Sequence, residues 1–90
     1  MYKLQIKVSA QKSLLKLPYK VRVQINEKLL KLTENPVRQD LDVKKMKGND
    51  LYRLRSGDYR ILYQKQDDIL IILIVAVAHR KDVYLWMFNI

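Results

Sequence analysis

The sequence predicts an α+β fold: an N-terminal strand, a helical hairpin, and then three or four strands of a mainly antiparallel, twisted sheet. Apolar residues recur at helical spacing between residues 9 and 34, and a proline divides that region into two helices. The segments on either side alternate between apolar and polar residues or are continuously apolar, which is typical of strands. We therefore expect both helices to pack on one face of the sheet, within a single domain spanning residues 1–90.

The N-terminal strand is predicted over Tyr2–Val8 (YKLQIKV), where every second residue is apolar. Ser9 is placed to cap a short first helix. Because the residue before a proline avoids helical backbone angles, this helix is expected to end at Leu17. Pro18 then begins the second helix, since proline suits the first helical position.

The second helix carries an apolar stripe that should pack on the sheet, and Asn35-Pro36 ends it. The stripe consists of Val21, Ile25, Leu29 and Leu32. The polar connection that follows contains three closely spaced lysines, Lys44, Lys45 and Lys47. A short strand is predicted there, near Val43–Met46.

The stretch LYRLRSGDYRILY, residues 51–63, predicts a β-hairpin whose two-residue loop is Gly57-Asp58. In this register four pairs lie opposite each other: Ser56 and Tyr59, Arg55 and Arg60, Leu54 and Ile61, and Arg53 and Leu62. Side chains alternate between the faces of a strand, so the arginines of the hairpin share one face and the tyrosines share the other. These arginines are Arg53, Arg55 and Arg60. Like charges placed opposite each other destabilise a sheet, which predicts an anion between them.

Asp67-Asp68 is predicted to form the next turn, followed by a strand over Ile69–Ala78 that is apolar on both faces and therefore central. His79-Arg80 leaves the end of this strand, and Tyr84 follows four residues after Arg80. We expect both residues of the pair to lie on the arginine-bearing face together with Arg60.

The charge balance indicates a polyanionic partner, with nucleic acid ahead of an acidic protein. An anionic membrane surface ranks last, because no helix opposes a basic face to a broad aromatic one, and no membrane partner is expected. The chain of 90 residues contains 18 Lys and Arg against 9 Asp and Glu, a formal net charge of +9. It has no cysteine and one histidine, so neither a disulfide framework nor a metal site is expected. The longest apolar run is too short to span a bilayer, and we expect a soluble, cytoplasmic protein that needs no cofactor.

Three stretches of the chain resemble the RelE/ParE toxin superfamily of type II toxin–antitoxin systems. They are KLPYKVRVQINEKLLKLTENP, KKMKGNDLYRLRSGDYRILY and VAVAHRKDVY, and together they cover almost the whole chain. The hairpin stretch is closer to the RelE branch, whose members resemble ribosome-dependent mRNA endonucleases. This resemblance implies metal-free cleavage by attack of the 2′-hydroxyl on the scissile phosphate, and an acidic antitoxin, the ribosome and mRNA as partners.

The resemblance also implies roles for individual residues. Arg60 corresponds to a phosphate-binding arginine, and Arg80 to an arginine that stabilises charge and assists the leaving group. Tyr84 corresponds to a tyrosine that orients or stacks on a base. Arg53 and Leu51 fall where the best-known members carry the two lysines of the base system, and neither of these side chains is a useful base.

His79 is the remaining candidate for proton transfer, because histidine side chains ordinarily titrate at about pH 6.5. Other basic residues are expected to contact RNA, although the lysines of the connection could instead be a solvated linker. These residues are Arg55, Lys44, Lys45 and Lys47. Two alternatives stay open: a gyrase-inhibiting toxin of the ParE type, and a catalytically weakened relative that binds RNA or an antitoxin.

Overall fold

The computed structural model describes residues 1–46 and 50–83, whose strands form one mixed sheet with both helices on one face. The elements are β1 (Lys3–Ile6), α1 (Val8–Leu15), α2 (Tyr19–Glu34), β2 (Val43–Lys45), β3 (Leu51–Ser56), β4 (Tyr59–Gln66) and β5 (Ile71–His79). The strand order is β1-β5-β4-β3-β2. The predicted α+β class is confirmed, and the described sheet has five strands because β1 joins it by pairing parallel to β5.

The first strand is shorter than predicted, and Ser9 does not cap the first helix. Lys7 is the N-cap residue of α1, and no side chain caps this end. The Lys7 amide still donates to the Ile74 carbonyl at 2.9 Å, while the Lys7 carbonyl already accepts the Gln11 amide at 2.9 Å. The change from strand to helix therefore takes place at Lys7, and Val8 becomes an exposed residue of the first helical turn.

The second helix begins one residue after the predicted start. Pro18 has an extended backbone (φ −55°, ψ 147°) and acts as the N-cap, and its carbonyl accepts the Arg22 amide at 3.0 Å. The predicted end is confirmed, with Asn35 as the C-cap. In the predicted stripe Ile25, Leu29 and Leu32 are fully buried, and Val21 is partly buried at the helix's first turns.

The predicted hairpin register is confirmed at every pair that was proposed. Ser56 pairs with Tyr59, Arg55 with Arg60, Leu54 with Ile61 and Arg53 with Leu62. Gly57 has a positive φ of 59°, whereas Asp58 does not, as expected when glycine takes the first position of a two-residue turn.

The last strand departs from the prediction at both ends. It starts at Ile71, because Leu70 adopts a left-handed backbone with φ 54° that closes the turn from β4, and it extends to His79. Within the strand, Leu62 pairs with Ala76 but Tyr63 pairs with Ile74, so one residue of β5 is extra. This β-bulge reverses the faces of β5: Ile72 and Ile74 lie on the helix side, and beyond the bulge the odd-numbered residues do.

The core lies between the helices and the sheet, and a second, smaller apolar cluster lies on the opposite face. The main core contains Ile25, Leu29, Leu32, Leu54, Ile61, Tyr63, Ile72 and Ile74. The smaller cluster contains Leu62, Ala76 and Val83, with Met46 and Ala78 packed against it. The face without helices is thus apolar at its centre, and two hairpin arginines border it, since Arg53 pairs with Leu62 and Arg60 with Ala78.

Candidate functional site

The sheet face opposite the helices, here called the arginine face, carries the guanidinium groups of Arg53, Arg55 and Arg60. Arg55 and Arg60 are direct cross-strand partners, and Arg53 lies in register with Leu62 on one side and Lys44 on the other. Lys44 therefore extends the same positive surface onto β2. The Arg53 side chain is 31% exposed and that of Arg55 is 54% exposed, so these charges are available to a ligand.

Asp42 is the internal counter-ion of this surface, and the sequence analysis did not identify it. Its two carboxylate oxygens lie 3.8 Å from Arg53 Nη2 and 3.9 Å from Arg55 Nη1. The Arg55 amide also donates to the Asp42 carbonyl at 2.9 Å, which fixes Asp42 directly before the start of β2. The sequence shows that Asp42 directly precedes the predicted strand β2. Its contact with Arg53 and Arg55 could be inferred from this only if the β2–β3 register were known.

Arg60 lies where the positive charges converge. Its Nη1 donates to the Gly57 carbonyl at 2.9 Å and to the Tyr59 carbonyl at 3.1 Å, so the guanidinium is held against the hairpin turn. Desolvation lowers the pKa of Arg60, and the charges of Arg55, Arg53 and Arg80 lower it further, with Asp42 opposing them. A guanidinium remains charged under such a shift, and a bound anion would relieve the repulsion.

Arg80 joins this surface from the turn after β5. Its backbone amide donates to the Asp58 carbonyl at 2.7 Å, and its Nε lies 3.6 Å from Asp58 Oδ1. Asp58 belongs to the hairpin loop, so these contacts bring the turn after β5 to the turn between β3 and β4. The predicted neighbourhood of Arg60 and Arg80 is therefore present in the structure.

Arg53 also provides an unusual donor. Its Nε atom is buried and, like Arg22 Nε on α2, has no hydrogen-bond partner within residues 1–46 and 50–83. Buried donors in proteins are nearly always paired, so an unpaired one beside three other cations favours a ligand that accepts hydrogen bonds. A phosphodiester has the charge and the acceptor oxygens that this surface requires.

His79 does not share the arginine face, and that part of the sequence analysis is wrong. It pairs with Tyr59 on the helix side of the sheet, where the two rings meet edge to face with centroids 5.4 Å apart. The cause is the β-bulge in β5: without the extra residue, the alternation that buries Ile72 and Ile74 would have placed His79 beside Arg60.

The three predicted RNA-binding lysines are also separated. Lys44 lies on the arginine face, but its neighbour Lys45 points to the other side and lines a polar cleft with Tyr52 and Lys65. Lys47 lies outside the described residues, as does Tyr84. Leu51 is 8% exposed, so the position where the resemblance expects a lysine is a buried apolar one.

Among residues 1–46 and 50–83, no group of three or more His, Cys, Asp or Glu side chains is arranged to hold a metal ion. None of the helices in this part of the chain has the length and apolar character needed to cross a membrane. The described residues of this face offer several arginines beside a small apolar cluster.

Comparisons with known proteins agree with one another. A family model described as the ParE toxin of the type II toxin–antitoxin system, parDE, matches residues 4–84. The mRNA interferase toxin RelE of Escherichia coli strain K12 is 32% identical over 83 residues, which cover 89% of this chain and 84% of that protein. The putative toxin RelE1 of Methanocaldococcus jannaschii is 31% identical over 85 residues, covering 92% of this chain and 94% of that protein.

Solved structures show the same likeness in three dimensions. A chain of the archaeal RelE–RelB complex from Pyrococcus horikoshii OT3 superposes with a TM-score of 0.79 at 34% identity, covering 88% of this chain and 94% of that chain. A chain of the intact E. coli RelBE toxin–antitoxin complex gives a TM-score of 0.74 at 32% identity, covering 88% and 96% respectively. These likenesses confirm the family that the hairpin and the AHRKDVY motif predicted.

Proposed function

The chain belongs to the RelE/ParE superfamily of type II toxin–antitoxin toxins, and on this premise we propose that it is a ribosome-dependent mRNA endonuclease that inhibits translation in the cytoplasm. One observation carries the proposal: guanidinium groups from three separate segments, β3, β4 and the turn after β5, converge on one face of the sheet. Docking of a protein does not require several arginines so close together. Binding of a phosphodiester does, because its charged oxygens accept hydrogen bonds from guanidinium groups.

The proposed reaction is a transfer within the RNA strand and needs no metal. The 2′-oxygen attacks the adjacent phosphorus and loses its proton, while the bond from phosphorus to the 5′-oxygen breaks and that oxygen gains a proton. The products are a 2′,3′-cyclic phosphate and a 5′-hydroxyl. Negative charge on the phosphoryl oxygens increases in the transition state, and fixed cations that are already in place stabilise it.

In this mechanism Arg60 binds the scissile phosphate from its fixed position over the hairpin turn. Arg80 faces the departing 5′-oxygen from the neighbouring turn, with Asp58 holding it in place. Arg53 and Arg55 bind the flanking backbone phosphate when that phosphate displaces Asp42. Tyr84, outside the described residues, keeps the role of stacking on a base that the family resemblance implies.

The three residues considered for proton transfer are poorly suited to it. Leu51 is aliphatic and buried, Arg53 stays protonated, and His79 lies on the other side of the sheet. The reaction then depends on in-line positioning and arginine electrostatics, with water exchanging the protons. This observation favours a second candidate, a relative that binds ribosomal RNA and mRNA but cleaves slowly.

A single-turnover cleavage assay on programmed ribosomes tests the proposal. Arg60→Ala is expected to lower the rate about a hundredfold or more, the usual cost of losing one transition-state donor. Lys12→Ala, an exposed residue of α1 on the other side of the molecule, is the charge-matched control and should leave the rate unchanged.

Equal rates for wild type and Arg60→Ala would contradict the assignment of Arg60. Ribosome binding without cleavage by the wild type would favour the slow relative instead. Inhibition of DNA gyrase by a chain that leaves mRNA intact would favour a ParE-type toxin.

We also propose an acidic antitoxin as the neutralising partner, since the related RelE chains were solved in complexes with RelB. Its affinity should fall as salt is added, because much of the attraction acts between solvent-exposed charges. The partner is expected to cover the arginine face or the segment around Tyr84. A tight partner whose affinity ignores both salt and charge reversal on the arginine face would exclude this mode of binding.

A further inference from the structure

The turn that carries Arg80 is held mainly by His79. Its three backbone amides all donate hydrogen bonds: Arg80 to the Asp58 carbonyl at 2.7 Å, Lys81 to His79 Nδ1 at 3.2 Å, and Asp82 to the His79 carbonyl at 2.8 Å. Two of the three acceptors therefore belong to His79. One of these is its side chain, so the conformation of this turn depends on the residue type at position 79.

The imidazole itself is fixed from the helix side of the sheet. Tyr59, its cross-strand partner, meets it edge to face with an interplanar angle of 84°. The main chain then leaves the sheet, and Arg80 reaches Asp58 and the arginine face. The His79 ring thus contacts the turn from the helix side of the sheet, whereas the Arg80 side chain lies towards the arginine face.

We propose that His79 is a positioning residue for Arg80: its imidazole accepts the Lys81 amide and sets the turn that presents the Arg80 guanidinium to the arginine face. The role requires a lone pair on Nδ1, so the ring acts in its neutral form with the proton on Nε2. This inference rests on the proposed nuclease function, and it replaces proton transfer as the reason for a histidine at this position.

The geometry makes a specific prediction about replacements. An acceptor that binds the amide two residues further along the chain is what an asparagine side chain provides in an Asx-turn. Asn Oδ1 can stand close to the position of His Nδ1, but asparagine cannot transfer protons near neutral pH. His79→Asn should therefore keep Arg80 in place, and His79→Ala should release it.

Single-turnover cleavage on programmed ribosomes separates these roles. His79→Ala should slow cleavage about tenfold, as expected for losing one hydrogen bond that orients a charged group. His79→Asn should retain most of the wild-type rate. Lys81→Ala, which keeps the backbone amide but removes the neighbouring charge, is the matched control and should resemble wild type.

A double mutant tests whether His79 acts through Arg80. In an Arg80→Ala background, adding His79→Ala should change the rate by less than about twofold, because the group being positioned is already absent. Independent, multiplying losses would overturn the proposal. So would a His79→Asn rate as low as that of His79→Ala, since that result requires the imidazole itself.

Amide hydrogen exchange in the free chain gives a readout that does not depend on cleavage. The Lys81 amide should exchange faster in His79→Ala than in wild type and return towards the wild-type rate in His79→Asn, with unchanged exchange in the core strands as the folding control. Equal Lys81 exchange in all three chains would overturn the inference. If the wild type cleaves no RNA, the proposed function fails, and the exchange experiment still decides whether His79 holds the turn.

Discussion

The two faces of the sheet are built from the same strands but differ in what stabilises them. On the helix face, each of the strands β3, β4 and β5 contributes fully buried apolar residues, as Leu54, Ile61 and Ile74 illustrate. On the arginine face, the residues between them include the arginines of β3 and β4 and a small apolar cluster that contains Leu62. One face is completed by the protein's own helices, whereas the other has only Asp42 and Asp58 as described counter-ions for its arginines.

This difference indicates that residues of the helix face serve stability, whereas residues of the arginine face serve binding of a ligand. Burial of apolar area on the helix face lowers the free energy of the folded state without any partner. On the arginine face, desolvation and then repulsion from neighbouring arginines lower the pKa of Arg60, and both effects raise the free energy of the folded state. Substitutions on the two faces should therefore have opposite profiles, with stability affected on one and nucleic-acid binding on the other.

The largest effect should come from Leu54→Ala on the helix face. Leu54 is 0% exposed, so the truncation leaves a cavity and should lower the free energy of unfolding by about 2–5 kcal/mol. Arg55→Ala, the next residue on the opposite face, should change it by no more than about 1 kcal/mol. Urea titrations followed by circular dichroism measure both values. A larger loss of unfolding free energy for Arg55→Ala than for Leu54→Ala would contradict the proposed difference between the faces.

Asp42→Asn tests the role of the counter-ion on the arginine face. The substitution removes the carboxylate that lies between Arg53 and Arg55, so an incoming phosphate no longer has to displace it. RNA affinity should rise about three- to tenfold, corresponding to one charged contact of about 1 kcal/mol. Stability should fall slightly, because the repulsion between the arginines is less compensated.

Fluorescence anisotropy with a short single-stranded RNA measures this affinity, and Asp40→Asn, whose carboxylate pairs with Arg38 instead, is the control. A hundredfold loss of cleavage at saturating ribosomes would identify Asp42 as a general base and reject its role as a counter-ion.

The smallest effect on RNA binding concerns the polar contact of the helix face. Lys28 Nζ donates to the Oγ of the buried Ser56 at 3.2 Å and so joins α2 to the end of β3. Lys28→Met should lower the free energy of unfolding by about 0.5–1.5 kcal/mol, the usual net value of such a hydrogen bond. RNA affinity should be nearly unchanged, although a positive charge is lost.

Lys31→Met, which removes an exposed charge from the same helix, separates the hydrogen bond from the effect of net charge. If Lys28→Met weakened RNA binding as strongly as Arg55→Ala, positive charge on either side of the sheet would serve equally. The distinction between the two faces would then fail.

The hairpin shows how far prediction from the sequence could go. Its register depends on a two-residue turn and on alternation over a few neighbouring residues, and all of these are local. The register placed Arg53, Arg55 and Arg60 on one face, and the structure has them there. The boundary errors at Ser9, Pro18 and Ile69 have a related cause, since each depends on a backbone hydrogen bond or dihedral angle that several residue types allow.

The amino-acid sequence by itself determined the α+β class, the hairpin register and the concentration of positive charge, because these follow from periodicity, turn residues and composition. The family followed from the resemblance of three sequence stretches to known toxins. Only the tertiary structure decided which groups meet across strands that are distant in sequence. Asp42 reaches Arg53 through the β2–β3 pairing, and a single extra residue in β5 turns His79 away from Arg60. The physical reason is the two-residue period of a strand: alternation predicts faces only while the register is continuous, and a bulge exchanges every face beyond it.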